Sequence, residues 1–195
     1  GPNVETVEEL DDYMHQVAGQ VGYLLTDIFA WYSSSIYRHK SELLPLAREF
    51  GLGLQTVNII RGLRKDYERG WVFVPNSYLD QVRITREQFF SPNYEKRAFR
   101  VVEMLAEKAE EHLYHSLAYI AAFPKHLQRI RLACMWPLFF AVKTLAVCRT
   151  NIDVIRDEVK ITRQDVKDII RETILMGWSN RWVYRYYDEL NSESI

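Results

Sequence analysis

The chain is 195 residues long and carries 25 Lys and Arg against 26 Asp and Glu, a formal net charge of -1. That balance excludes a protein that holds nucleic acid through a general positive field. Hydrophobic residues make up 48% and charged residues 26%, an ordinary globular composition with length enough for one substantial core. Glycine (8) and proline (6) are sparse, which leaves few turns and favours long helices over many short strands. Cys134 and Cys148 both lie in an apolar run and read as buried free thiols of a reducing, cytoplasmic compartment. No signal peptide is apparent, and Pro137 and Lys143 interrupt the apolar run from Leu132 to Val147, which argues against a membrane span. Gly1-Pro2 reads as the scar of a cleaved tag, so residues 3–195 are expected to form a single helical domain with natural chain upstream.

Thr6 with Glu9 three residues on has the pattern of a capping box, and predicts a helix through Tyr13, Val17, Val21, Leu24, Leu25 and Ile28 toward Tyr32. Gly19 and Gly22 inside it each cost roughly 1 kcal/mol relative to alanine. Either another helix packs closely there or a substrate chain lies against the backbone. A second long helix is expected over 41–66, with Pro45 tolerated in its first turn. The period breaks at Glu68-Arg69-Gly70, and Trp71 to Pro75 reads as extended; Ile84-Thr85-Arg86-Glu87 suggests a short capped helix. Pro92 precedes a long helix with Val101, Leu105, Leu113 and Ile120 on its apolar side, ending near Phe123. Pro124 opens another through Leu127, Ile130, Phe140 and Leu145, expected to bend at Pro137. Thr162-Arg163-Gln164-Asp165 caps a further helix to Met176, Gly177 ends it, and an aromatic tail follows from Trp178 to Tyr187. No repeat or second domain interrupts this pattern, which is that of an all-α bundle.

One stretch carries chemistry. At about 100° per residue, Gln55, Asn58, Arg61, Gly62, Lys65, Asp66 and Arg69 fall within about 70° of one line along a helix. One carboxylate, one amide and several cations on a single strip suit a pyrophosphate, taken up directly or through Mg²⁺. The same pattern also fits a plain surface face held by i,i+4 ion pairs.

The run from Gly51 to Pro75, with Gln55, Asn58-Ile59-Ile60-Arg61, Asp66, Arg69-Gly70 and Pro75, resembles the second aspartate-rich motif of the squalene/phytoene synthase family. Tyr13-Met14-His15-Gln16-Val17-Ala18-Gly19-Gln20-Val21-Gly22 resembles that family's YCxxVAGxVG helix. The resemblance implies an isoprenoid-synthase-type helical bundle, incomplete at its N-terminus, and a prenyltransferase that joins two prenyl diphosphates (farnesyl or geranylgeranyl) head to head. It implies Mg²⁺ as cofactor, with NADPH where squalene is the product. It further implies that Tyr13, Val17, Val21 and Gly22 line a prenyl channel, and that Gln55, Asn58 and Asp66 act on substrate. Asp66 and Asn58 would hold the metal, Arg61, Lys65 and Arg69 would lie near the phosphates, and Phe140 would stand where the family often has a tyrosine.

Two departures qualify that expectation. Gly62 stands where the motif's first aspartate belongs, and Lys65 brings a cation to the same strip. Lys65 replaces part of the metal's charge, or the site has lost its metal and chemistry, or Asp66 suffices with ligands from elsewhere. The first aspartate-rich motif has no counterpart in residues 3–12, so the chain alone is expected not to turn over substrate. The rival reading is a catalytically silent relative serving as a binding or assembly factor.

Other signals are weaker. His112 and His115 lie three apart without a third ligand at convincing spacing. The tail from Trp178 to Tyr187 suits a packed terminal helix or, alternatively, contact with the inner face of a membrane. Loss of upstream helices would bare an apolar face, and this makes a homo-oligomer an expected partner state.

Overall fold

The computed structural model describes residues 4–192, so the Gly1-Pro2 start lies outside it. The elements are α1 (Val7–Met14), a π turn (His15–Gly19), α2 (Gln20–Tyr32), α3 (Ser34–Arg38), α4 (Lys40–Glu68) and α5 (Asn76–Gln81). They continue with α6 (Glu95–Ala122), α7 (Gln128–Thr150), α8 (Arg163–Met176) and α9 (Asn180–Ser192). The all-α expectation holds. α4 packs along α6, and α7 lies against α4, α6, α8 and α9.

Local signals place several helix ends. Thr6 Oγ1 accepts the Glu9 N–H at 3.2 Å, while the Glu9 carboxylate reaches past the cap to the Glu5 N–H at 2.7 Å. At Thr162 the box is reciprocal: Thr162 Oγ1 takes the Asp165 N–H at 3.0 Å, and Asp165 Oδ2 takes the Thr162 N–H at 2.8 Å. Gly70 supplies a φ of +78° just past α4, and Trp71 N–H closes the end on the Asp66 carbonyl at 2.8 Å.

The structure departs from the periodicity in several places. One is the start of α7, which begins at Gln128 after a turn closed by the Leu127 N–H on the Pro124 carbonyl at 3.0 Å, not at Pro124. The first helix is not continuous, because a π turn at His15–Gly19 separates α1 from α2. α4 crosses there so closely that a Cβ on Gly22 would lie 2.4 Å from the Ala47 carbonyl oxygen, and one on Gly51 would lie 2.6 Å from that of Ala18. Helix packing therefore accounts for Gly22. Residues 84–87 form only a turn, in which the Thr85 carbonyl accepts N–H groups from Gln88 and Phe89 at 3.1 Å each. Arg86 turns inward there to bond the Val4 carbonyl at 3.0 Å and Asn76 Oδ1 at 2.7 Å, and this tertiary tie replaces helix growth. Pro45 sits one residue deeper than expected, since α4 already begins at Lys40.

α7 is long and apolar enough to cross a membrane by length and composition, but it lies in the core, with Cys134, Leu138, Phe139, Leu145 and Cys148 buried. Both cysteines are free, and burial pushes their thiols up to about 12. Arg131 of α7 is fully buried. Its guanidinium donates to the carbonyls of Ile120 (2.8 Å), Phe123 (3.0 Å) and Gly177 (3.0 Å) and to Asn180 Oδ1 (2.7 Å). Those acceptors cluster at the C-terminal ends of α6 and α8, where helix dipoles favour a cation. The aromatic tail is the packed helix α9: Phe139 meets Tyr186 edge-on at 5.0 Å, and Trp182, Val183 and Leu190 are buried.

Candidate functional site

The middle of α4 serves two environments. Leu52, Val57, Ile59, Ile60 and Leu63 are buried in the core. The polar strip turns the other way. Its lower end opens on a cleft of about 180 Å³ between α4 and α7, lined by Leu54, Val57, Asn58, Arg61, Pro137, Phe140, Ala141 and Thr144. Pro137 and Phe140 thus face Asn58 and Arg61 across an apolar floor.

One turn further on, the cations converge. Lys65 pairs with Glu158, Arg61 Nε stands 3.6 Å from Glu158 Oε1, and Lys160 Nζ stands 3.0 Å from Glu158 Oε2. Glu158, 93 residues beyond Lys65, and Lys160 come from the segment between Ile155 and α8. Hydrogen bonds from Lys65 and Lys160 hold the Glu158 carboxyl down at about 2. Arg61 Nε is buried without a hydrogen-bond partner, so one carboxylate does not saturate three cations.

Asp66 lies beside this cluster. Burial raises its carboxyl above the ordinary range, and the Arg69 guanidinium, 3.9 Å away, partly offsets this. A Cβ at Gly62 would lie 3.3 Å from Asp66 Oδ2, so the remaining carboxylate leans toward the place of the missing one. Tyr13 stacks on Phe73 at 4.8 Å, and its hydroxyl is raised by burial and then by the Asp66 charge.

The structure therefore brings Asn58, Arg61 and Phe140 to one cleft, Arg61 and Lys65 to one cation cluster, and Tyr13 and Asp66 to its edge. Gln55 is half-buried on the same helix. Val17 and Val21 are 43% and 50% exposed on the outer face of the π turn and α2, while Gly22 is buried against α4. Glu158 and Lys160 were not legible as site residues, because nothing local in their polar segment points at α4. Asp66 is the one carboxylate on the strip. Among the described residues no three His, Cys, Asp or Glu side chains converge as a cation cage. His112 bonds Glu49 at 2.6 Å, with His115 3.9 Å from the same carboxylate.

The profile of the squalene/phytoene synthase family matches residues 2–165. The chain belongs to the squalene/phytoene synthase family. It is 29% identical over 89% of its length to squalene synthase of the yeast Schizosaccharomyces pombe and 27% identical over 96% to that of Rattus norvegicus. Those alignments take in 37% and 44% of the relatives, so the chain spans less than half of the curated proteins it matches. A solved structure of TcSQS with the ligand BPH1237 superposes with a TM-score of 0.80 at 25% identity, covering 100% of this chain and 56% of that one. Against the family's second aspartate-rich motif, this squalene/phytoene synthase relative keeps Asp66 but pairs its Lys65 with a carboxylate from another segment.

Proposed function

We propose that the chain forms the C-terminal half of a head-to-head prenyl diphosphate synthase, and that its α4–α7 cleft receives a prenyl diphosphate. The observation that carries this reading is the succession along α4 of an apolar cleft and, one turn on, a cluster of three cations. A prenyl diphosphate has the same order, an apolar chain and then a polyanion. Phe140, Pro137, Leu54 and Val57 would exclude water from the first carbons of the chain. Arg61, Lys65 and Lys160 would take the diphosphate and oppose the charge that gathers on it as it leaves. Mg²⁺, where it enters, would share Asp66 and Asn58 with oxygens of the diphosphate, since the strip offers a single carboxylate. NADPH belongs only to a squalene-forming variant of the reaction, and the described residues assign it no site.

The test is thermal stabilisation by a non-hydrolysable farnesyl diphosphate analogue with and without Mg²⁺. Stabilisation should fall in Lys65→Ala and Asp66→Ala; an unchanged response in both would remove the strip from the site. Incubation of the chain alone with farnesyl diphosphate, Mg²⁺ and NADPH is expected to give no product, and clear squalene or cyclopropyl product would overturn the half-site reading. The rival, a silent binding or assembly factor, is favoured by one observation, the Gly62 break in the carboxylate pair. It predicts that analogue binding persists while no added N-terminal half restores turnover.

A further inference from the structure

Lys65 and Arg61 rise from α4, and Lys160 comes from the segment before α8. All three meet Glu158, and no other carboxylate is paired with any of them among the described residues. The segment that carries Glu158 is anchored on both sides. Val154 and Ile155 are buried before it, and the Thr162–Asp165 box fixes the start of α8 after it. Its backbone N–H is also held, by Asp157 Oδ1 at 2.7 Å. The carboxylate is thus presented to the cluster by a strap tied at both ends.

Its fit is incomplete in a telling way. Glu158 bonds Lys65 and Lys160, but Arg61 Nε stays beyond hydrogen-bond reach at 3.6 Å and buried without a partner. A carboxylate has two oxygens; a diphosphate has more, spread over a longer span. The donors are therefore better matched to the larger anion than to the side chain that holds them now. We propose that Glu158 is a built-in counter-anion of this cluster, which a diphosphate enters by displacing. This rests on the diphosphate-site reading above. Glu158 keeps the half-exposed cations gathered on one point in the absence of ligand, and it raises the concentration of diphosphate needed to fill the site.

Calorimetric titration with inorganic pyrophosphate in metal-free buffer at two salt concentrations tests this on the whole chain. Glu158→Gln removes the charge but keeps an amide in its place, and Glu68→Gln makes the same change of formal charge at a residue paired with Arg64 instead. Pyrophosphate should bind Glu158→Gln at least about tenfold more tightly than the parent, with a steeper salt dependence, because an intramolecular competitor is gone. Glu68→Gln should stay within about twofold of the parent, as expected of an exposed pair. Equal or weaker binding in Glu158→Gln, or equal tightening in Glu68→Gln, overturns the counter-anion while leaving the diphosphate site standing. Absence of binding in the parent and in Glu158→Gln at millimolar pyrophosphate overturns both. Glu158→Asp guards against a misfolded amide variant: it keeps the charge but draws the carboxylate back by one methylene. Its affinity should fall between the other two, and parent-like affinity there overturns the proposal.

Discussion

Restoring the lost carboxylate is the sharpest perturbation of the strip. In Gly62→Asp the new Cβ would lie 3.3 Å from Asp66 Oδ2, so the neighbouring carboxylate has to yield by a few tenths of an ångström. Aspartate is about 0.3 kcal/mol better than glycine in a helix interior. A like-charge pair at i,i+4 costs about 0.2–0.5 kcal/mol. These terms cancel, and without metal the variant should melt within about 1 °C of the parent. Lys65 does not stand in the way, because its partner is Glu158 rather than Asp66. With two carboxylates one turn apart, a Mg²⁺ dissociation constant on the order of 1 mM is reasonable for an open, partly hydrated site. At about 10 mM Mg²⁺ that gives about 1.4 kcal/mol of added stability. For a chain of this length the melting temperature should rise by about 3–6 °C. The parent, with Asp66 alone, should shift by less than about 1 °C. Differential scanning fluorimetry with MgCl₂, against NaCl of equal ionic strength, reads this directly. An equal Mg²⁺ response in both proteins would refute the claim that Gly62 and Asp66 share a metal-competent face. So would a loss above about 1 kcal/mol without metal, which is too large for the cancelling terms.

Two further outcomes follow from the packing. Arg131→Met removes the donor serving the Phe123 and Gly177 carbonyls and Asn180 Oδ1, all at the meeting of α6, α8 and α9. At about 1–3 kcal/mol per orphaned buried group, and less than additively, urea unfolding should show a loss of about 3–5 kcal/mol; a loss below about 1.5 kcal/mol would mean the cation merely breaks even with an apolar side chain. The His112 hydrogen bond holds the Glu49 carboxyl below its ordinary 4.5. A depressed carboxyl contributes stability above its unfolded value and loses it as pH falls through the folded one. Glu49→Gln should therefore flatten the stability profile below about pH 4.5 and lower the plateau above it; a profile parallel to the parent's would show the pair to be idle.

The helices were legible because their signals are local. Thr162 and Asp165 lie three residues apart and cap α8 through bonds that need nothing else. The apolar sides of α6 and α9 follow from spacing alone. The π turn was not legible, since Gly19 in a helix interior reads equally as a close-packing site and the turn sits where α4 crosses at contact distance. Residues 84–87 failed for the related reason that Arg86 finds acceptors outside the segment, at the Val4 carbonyl and Asn76 Oδ1. At the site, the α4 strip was legible and its counter-charge was not. Spacing on one helix predicts which side chains share a face, but it cannot say that a carboxylate 93 residues away comes to rest on that face.

On the proposed reading, the dimensions of the cleft make the strip only part of a site. From Leu54 to Lys65 the helix rises about 16 Å, enough to set a polar head and the first part of an apolar chain in sequence. A cavity of about 180 Å³, however, falls short of the roughly 300 Å³ at which pockets for drug-sized ligands begin. A prenyl chain entering there needs more wall than α4 and α7 provide. Apolar surface without a partner lies nearby on the π turn and α2: Val17, Val21, Leu24 and Ile28 follow one another at helical spacing, and all are at least 43% exposed. Two of these are residues that the family resemblance places along the prenyl channel. On the proposed reading this chain supplies the cations of the polar end with Glu158 as their counter-anion, while Asp66 is the one carboxylate it brings to the strip. If the α2 face is the channel's second wall, as the family resemblance implies, it faces solvent here, and chain-length selection would lie with whatever covers α2.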